Sequence, residues 1–515
     1  MILRAIHRCR SPDWTGQSLD YNGLPDIAKG LRRADRRDMS EIRLKKDAIS
    51  FASNVVIGVA STAPAYSLDA ALPALVAAAK FGVPAVLIVA FIPMLFVAAA
   101  YYHLNRADPD CGTTFSWATR AMGPYSGWMG GWAIIVTDIL VMPGLAQVAA
   151  QYSLSLIGIA KPAAALLTAV GVAWIVAMTL ICYLGIELSA HMQKVLLALE
   201  VIILIVFAGV ALAKVYAGAV PGSRTVALDW FNPFALDYDD FMQATLVAVF
   251  VYWGWDTGAA VNEETENPHH APARAAVLST FILLGLYVVV GVAADAFAEP
   301  GLAAFNGDDF LAPLAKTVLG SGLDKLLILA VLTSAASCTQ TTILPTARTV
   351  ISMARAGALP QRLASIHPRY LTPSVATLAM GGVSILWYLG LACFFENEVL
   401  SDSVTATAIG IAFYYGLTGF ACVVFHRREL FNSIKDFVLV GVLPAVGGAA
   451  MLALFIGSCV NFSNPEQSKA AFHGVGAPLI FGLGGLVLGL LLMVLTRFVL
   501  PEFFERRPDV MGSPR

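Results

Sequence analysis

The sequence predicts an all-α protein that crosses a membrane many times. Three observations carry that reading. Of the 515 residues, 58% are apolar and 13% charged, against about 25% charged in a soluble globular domain, so a water-facing surface could not be covered. The chain also divides into twelve runs of the length a helix needs to cross the hydrocarbon core, about 20 predominantly apolar residues. Two of those runs, the first and the sixth, carry helix-breaking residues near their middles. The balance of 33 Lys and Arg against 35 Asp and Glu excludes a basic nucleic-acid-binding surface. The cysteines lie scattered, mostly inside apolar runs and with no C-x-x-C pair, which is neither a disulfide framework nor a zinc site.

Residues 1–46 are polar and basic, with Arg32, Arg33, Arg36, Arg37, Arg43, Lys45 and Lys46 ahead of the first run. They hold no apolar core of a signal peptide, so they read as a cytoplasmic tail. The runs follow at 48–79, 82–105, 124–157, 162–185, 195–217, 241–262, 275–297, 326–347, 374–395, 403–425, 437–459 and 475–499. Residues 501–515 form a second short tail. Alternating sides from the N-terminus leaves Lys80, Lys161, Lys214, Arg224, Lys316, Lys325 and Lys469 outside, out of 33 Lys and Arg. The excess inside satisfies the positive-inside rule with both termini cytoplasmic, in a cell membrane.

The first run is interrupted by Gly58, Ser61, Thr62 and Pro64. Pro64 removes a backbone donor and clashes with the preceding turn, so the helix must bend or open there. Freed backbone groups in hydrocarbon are tolerated only beside protein or a cavity. The sixth run holds Gly254 and an acid, Asp256, at similar depth. The two breaks lie five runs apart, and five is odd, so the second group of five runs opposite to the first. That is the sequence pointer to an inverted repeat, 47–217 and 240–425, with a central binding site between two discontinuous helices.

Several stretches then carry a family resemblance. They are Pro109-Asp-Cys-Gly-Thr-Thr-Phe-Ser-Trp117, Arg120-Ala-Met-Gly-Pro124, Gly127-Trp-Met-Gly-Gly-Trp132, Asn262-Glu-Glu-Thr-Glu-Asn-Pro268 and Ser352-Met-Ala-Arg-Ala-Gly-Ala-Leu-Pro360. Over about residues 47–430 the chain resembles the amino acid–polyamine–organocation (APC) permeases, which have a LeuT-type fold. The resemblance implies that runs one to five and six to ten are the inverted repeats, with runs eleven and twelve (436–500) outside them. It also implies a secondary transporter, not an enzyme, whose substrate carries an amino group. Two departures stand out. Ala60-Ser-Thr-Ala63 replaces a glycine-rich stretch in the first run, and Glu200 stands where some proton-coupled members have a lysine.

An ionisable residue at mid-span costs about 2.5–3.5 kcal/mol even on the lenient insertion scale. Asp138, Glu200 and Asp256 therefore each need a reason, functional or structural. Ser61, Thr62 and Ala63 on the first break are candidate substrate-binding residues. Tyr252, Trp253, Gly254, Trp255 and Asp256 are candidates on the sixth, with Asp138 on the third run. Positive half-helix ends would receive a carboxylate and unwound carbonyls an amino group. The excess of acids over bases in the core hints at a cationic substrate or a polyamine. Burial disfavours a carboxylate's charge, which makes Glu200 a candidate proton-coupling group. Thr333 and Ser334 are candidates for holding an ion, although such hydroxyls also bond to their own helix. The coupling ion would be H+ or Na+, with no other cofactor and no metal. Expected partners are a small-molecule substrate and membrane lipid. An integral membrane transferase would need a His, Asp or Cys constellation at a membrane edge, and a channel would need a filter-like repeat.

Overall fold

A backbone in hydrocarbon must satisfy its own hydrogen bonds, so apolar runs become helices wherever proline and glycine permit. A computed structural model describes residues 43–505 apart from 160, 221, 303–310, 321 and 396. The tails at 1–42 and 506–515 lie outside the described residues. The first run is two helices, α1 (Phe51–Ser61) and α2 (Pro64–Ala79). Then come α3 (Val83–Ala107), a short α4 (Thr114–Met122), α5 (Pro124–Leu156), α6 (Ala164–Leu184) and α7 (Ile186–Tyr216). The sixth run splits into α8 (Tyr238–Val251) and the single turn α9 (Thr257–Ala260). α10 (Ala271–Leu302), a short α11 (Leu311–Leu319), α12 (Asp324–Arg355), α13 (Ser374–Phe394) and α14 (Asn397–Phe425) follow. The last two long helices are α15 (Leu443–Asn461) and α16 (Ala477–Val499), joined through a two-stranded hairpin, β1 (Ala471–Phe472) and β2 (Val475–Gly476).

Eleven helical segments among the described residues are long and apolar enough to cross a membrane, counting α1 and α2 as one. The sequence suggests twelve. The difference is the sixth run, where neither half reaches the required length because the chain is unwound between Val251 and Thr257. α7 and α12 extend well beyond the runs expected for them, since the polar residues at their ends continue the helix past the apolar stretch.

Burial separates the centre of the bundle from its rim. The α1–α2 pair, α5 and α12 each have a spanning window 78% buried, whereas that of α16 is 17% buried. The buried helices can afford polar side chains because those side chains find partners within the protein. On α12, Gln340 accepts from the Gln193 amide of α7 at 2.8 Å, and the Ser337 hydroxyl donates to the same Gln193. These bonds align α7 and α12 beside the first break.

Candidate functional site

Pro64 has no N–H to offer the Ala60 carbonyl, so the α-helical ladder of the first run ends there. Thr62 N donates instead to Val59 O at 3.2 Å and Ala63 N to Ala60 O at 3.1 Å, while Ala63 takes a φ of +46°. The helix restarts at Pro64, which suits a first helical position. On the sixth run Gly254 has a φ of +117°, a conformation that glycine adopts at little cost. The two breaks touch. A Cβ on Gly254 would lie 2.5 Å from the Ser61 carbonyl oxygen, and the Ser61 and Thr257 hydroxyls are 2.7 Å apart.

Asp256, just after the second break, is enclosed by phenols. Tyr415 donates to Oδ1 at 2.8 Å, and Tyr101 and Tyr414 donate to Oδ2 at 3.4 and 3.5 Å. Trp253 Nε1 in turn donates to the Tyr414 hydroxyl at 2.5 Å. Asp138 comes in from α5 and accepts from the Thr346 hydroxyl of α12 at Oδ2. Both acids, with Ser61, Gly254, Thr257 and Thr342, line a small cavity of about 10 Å³. That is space for roughly one water molecule.

Ser61 and Trp253 also line a second, larger cavity of about 430 Å³. It runs past Thr62, Ala63 and Tyr66 to Asn461 and Gln467, at the bundle end that carries the hairpin. Its walls are mainly apolar, among them Val141, Leu145, Phe250 and Val404. A solute entering from that end would meet Trp253 and Ser61 before the two acids.

Glu200 lies on the far side of the first break, fully buried. Its Oε1 accepts from Ala65 N at 2.7 Å, and Ser334 Oγ accepts from Tyr66 N at 3.2 Å. The α2 N-terminus, from which the sequence suggests a substrate carboxylate would be held, is thus already capped by the protein's own carboxylate. The reason is plain in the geometry, since a positive helix end attracts the nearest anion and α7 supplies one. Thr333 points elsewhere and bonds the Ala330 carbonyl of its own helix.

The opposite end of the bundle is closed. Glu264 accepts from Arg348 Nε at 2.7 Å, with side chains 0% and 1% exposed, and Glu263 pairs with Arg355 at 2.9 Å. Asn262 Nδ2 donates to Asn105 Oδ1 at 2.8 Å and to Asp110 O at 3.1 Å. Ile49, just ahead of α1, is stitched by its backbone to the same segment: Ile49 N donates to Glu264 O at 3.0 Å and Glu266 N to Ile49 O at 2.9 Å. Asp110, Cys111 and Glu263 bring three metal-capable groups together here. Burial, with Glu263 and Asp110 beside it, holds the Cys111 thiol well above its ordinary pKa, and a neutral thiol is a poor metal ligand. Asp110 Oδ1 is meanwhile occupied by Ser116, Ser352 and Gly112 N.

Of the residues singled out in the sequence, Ser61, Asp138, Trp253, Gly254 and Asp256 come together around the small cavity, and Thr62 and Ala63 face the larger one. Glu200 and Ser334 meet at the α2 N-terminus. Tyr252 and Trp255 line neither cavity. Tyr252 reaches away to the Leu87 carbonyl at 3.0 Å, and Trp255 packs between Tyr101 and Tyr415, with ring centres 5.1 and 5.5 Å away. The tyrosines around Asp256 have no motif of their own. The signal available was Tyr414-Tyr415 inside an apolar run, where a buried phenol needs a hydrogen-bond partner.

A family model described as amino acid permease matches residues 46–481. An uncharacterised transporter of Mycobacterium tuberculosis is 27% identical over 442 residues, 82% of this chain and 92% of that protein. A branched-chain amino acid permease of Bacillus subtilis is 23% identical, covering 72% of this chain and 78% of its own length. A low-affinity putrescine importer of Escherichia coli is also 23% identical, covering 73% and 80%. In fold, the chain matches the crystal structure of MhsT in complex with L-phenylalanine with a TM-score of 0.58, over 78% of this chain and 98% of that one at 13% identity.

Proposed function

The chain belongs to the amino acid permease family and is a multi-pass membrane protein of the secondary transporter class; we propose that it moves an amino acid or related amine by alternating access around the paired helix breaks. The observation that carries this reading is the contact of the two breaks, with Gly254 against the Ser61 carbonyl. Two discontinuous helices that meet at mid-depth make a site whose backbone and side chains can be presented to either end in turn. In the conformation described, the large cavity opens toward the hairpin end while Glu264–Arg348 and its neighbours close the other. The hairpin end is the outer one, with both termini in the cytoplasm of a cell bounded by this membrane. Relatives named for branched-chain amino acids and for putrescine support a substrate bearing an amino group. Glu200 serves as the coupling group, exchanging a proton as the cap on α2 forms and breaks, and Ser334 holds the neighbouring N–H.

Counterflow in proteoliposomes tests the reading. Purified protein preloaded with unlabelled solute should accumulate labelled solute for at least one amino acid or amine in a panel. Gly254→Ala should lose that exchange while inserting normally, because a methyl group at +117° both strains the backbone and strikes the first break. Exchange at the wild-type rate in Gly254→Ala would remove the contact between the breaks from the mechanism.

A further inference from the structure

We propose that the site selects a monoamine with an apolar body and no carboxylate. The inference rests on the transport reading above and names its substrate class.

A carboxylate in this arrangement needs free N–H groups at a helix start, and the start of α2 has none to give. Pro64 lacks an N–H, Ala65 N goes to Glu200, Tyr66 N to Ser334 and Ser67 N to the Ala63 carbonyl at 2.7 Å. At the second break, Gly254 N faces the Tyr415 hydroxyl at 3.4 Å, and Thr257 N and Gly258 N bond back to Gly254 O and Trp255 O. At the start of α2 an incoming carboxylate would have to displace Glu200 or lie close to it.

The small cavity asks for the opposite charge. Asp138 and Asp256 both face it, and among the described residues no Lys, Arg or His lines it. Asp138 is 4% exposed, and among the described residues no donor reaches its Oδ1. That oxygen keeps acceptor capacity that the protein does not use. An ammonium group carries three donors and no acceptor, which fits a pocket bounded by Asp138, Asp256 and the Ser61, Thr257 and Thr342 hydroxyls. The volume of about 10 Å³ admits such a head and little more.

The body of the substrate would then pass Trp253 and Ser61 into the larger cavity. Among the described residues no charged side chain lines that cavity, so a second ammonium would find no described carboxylate there. Aliphatic groups would find Val141, Leu145, Phe250 and Val404. Each methylene buried there adds about fourfold in affinity.

The test compares 3-methylbutylamine with leucine, which differ only by the carboxylate, and with putrescine. Binding and counterflow are measured on the full chain in proteoliposomes. 3-Methylbutylamine is expected to bind at least tenfold more tightly than leucine and than putrescine. Leucine or putrescine binding as well as 3-methylbutylamine overturns the inference. In Asp138→Asn, 3-methylbutylamine should lose at least tenfold in affinity, and an unchanged affinity also overturns it. The wild-type comparison stands even if that variant fails to fold. Exchange of other solutes with none of these three sinks the substrate class alone, whereas no exchange of any solute sinks the transport reading itself.

Discussion

Glu200 shows how one residue can hold two tasks. Its Oε1 caps α2 through Ala65 N, and its Oε2 has no partner among the described residues. A proton arriving at the free oxygen would weaken the cap without a change of position. Glu200→Gln keeps an acceptor oxygen for Ala65 N but cannot titrate. It should retain exchange and binding while net uptake loses its dependence on pH. Uptake measured from pH 5 to 8 decides this, and a wild-type profile in the variant would take coupling away from Glu200. The mid-span acids were legible from the sequence because charge in an apolar run is conspicuous. Their partners were not. Which of Tyr101, Tyr414, Thr346 or Ala65 N would meet them depends on helix rotation and contacts across more than a hundred residues.

Between elements, the Glu264–Arg348 pair couples the segment after α9 to α12. Both side chains are fully buried, so removing one strands the other's charge. Glu264→Gln or Arg348→Met alone should each cost about 3–5 kcal/mol. The double variant should recover more than half of that, since neither charge is then left unpaired. Thermal unfolding in detergent reads the cycle, and simple additivity would show that the pair is not coupled. Sequence alone located both helix breaks, because Pro64 and Gly254 are local causes of local effects. It did not join Glu200 to the α2 N-terminus, because that contact comes from α7 and depends on how two helices distant in the chain face each other. It also gave equal standing to Tyr252, Trp253 and Trp255, which an unwound backbone sends in three different directions.

At the scale of the whole chain, composition and run length were enough to place it in a membrane and to suggest how its ends face. The topology is open to direct test. In a cysteine-free background, single cysteines at Ser223 and Gln467 should react with an impermeant thiol reagent added outside intact cells. One at Gln361 should react only after the membrane is opened. Labelling of Gln361 in intact cells would overturn the proposed orientation and the expected twelve crossings together.

The stitch between Ile49 and the segment from Glu264 to Glu266 has a consequence for leak. It is made of backbone bonds and sits beside a buried ion pair, so loosening one part leaves the other intact. That end stays shut until both parts have let go. A thermal fluctuation that frays a single bond therefore opens no continuous path while the hairpin end stands open. In the proposed cycle such an arrangement would keep ions from running down their gradient between turnovers, in part through main-chain bonds that most side-chain substitutions leave untouched.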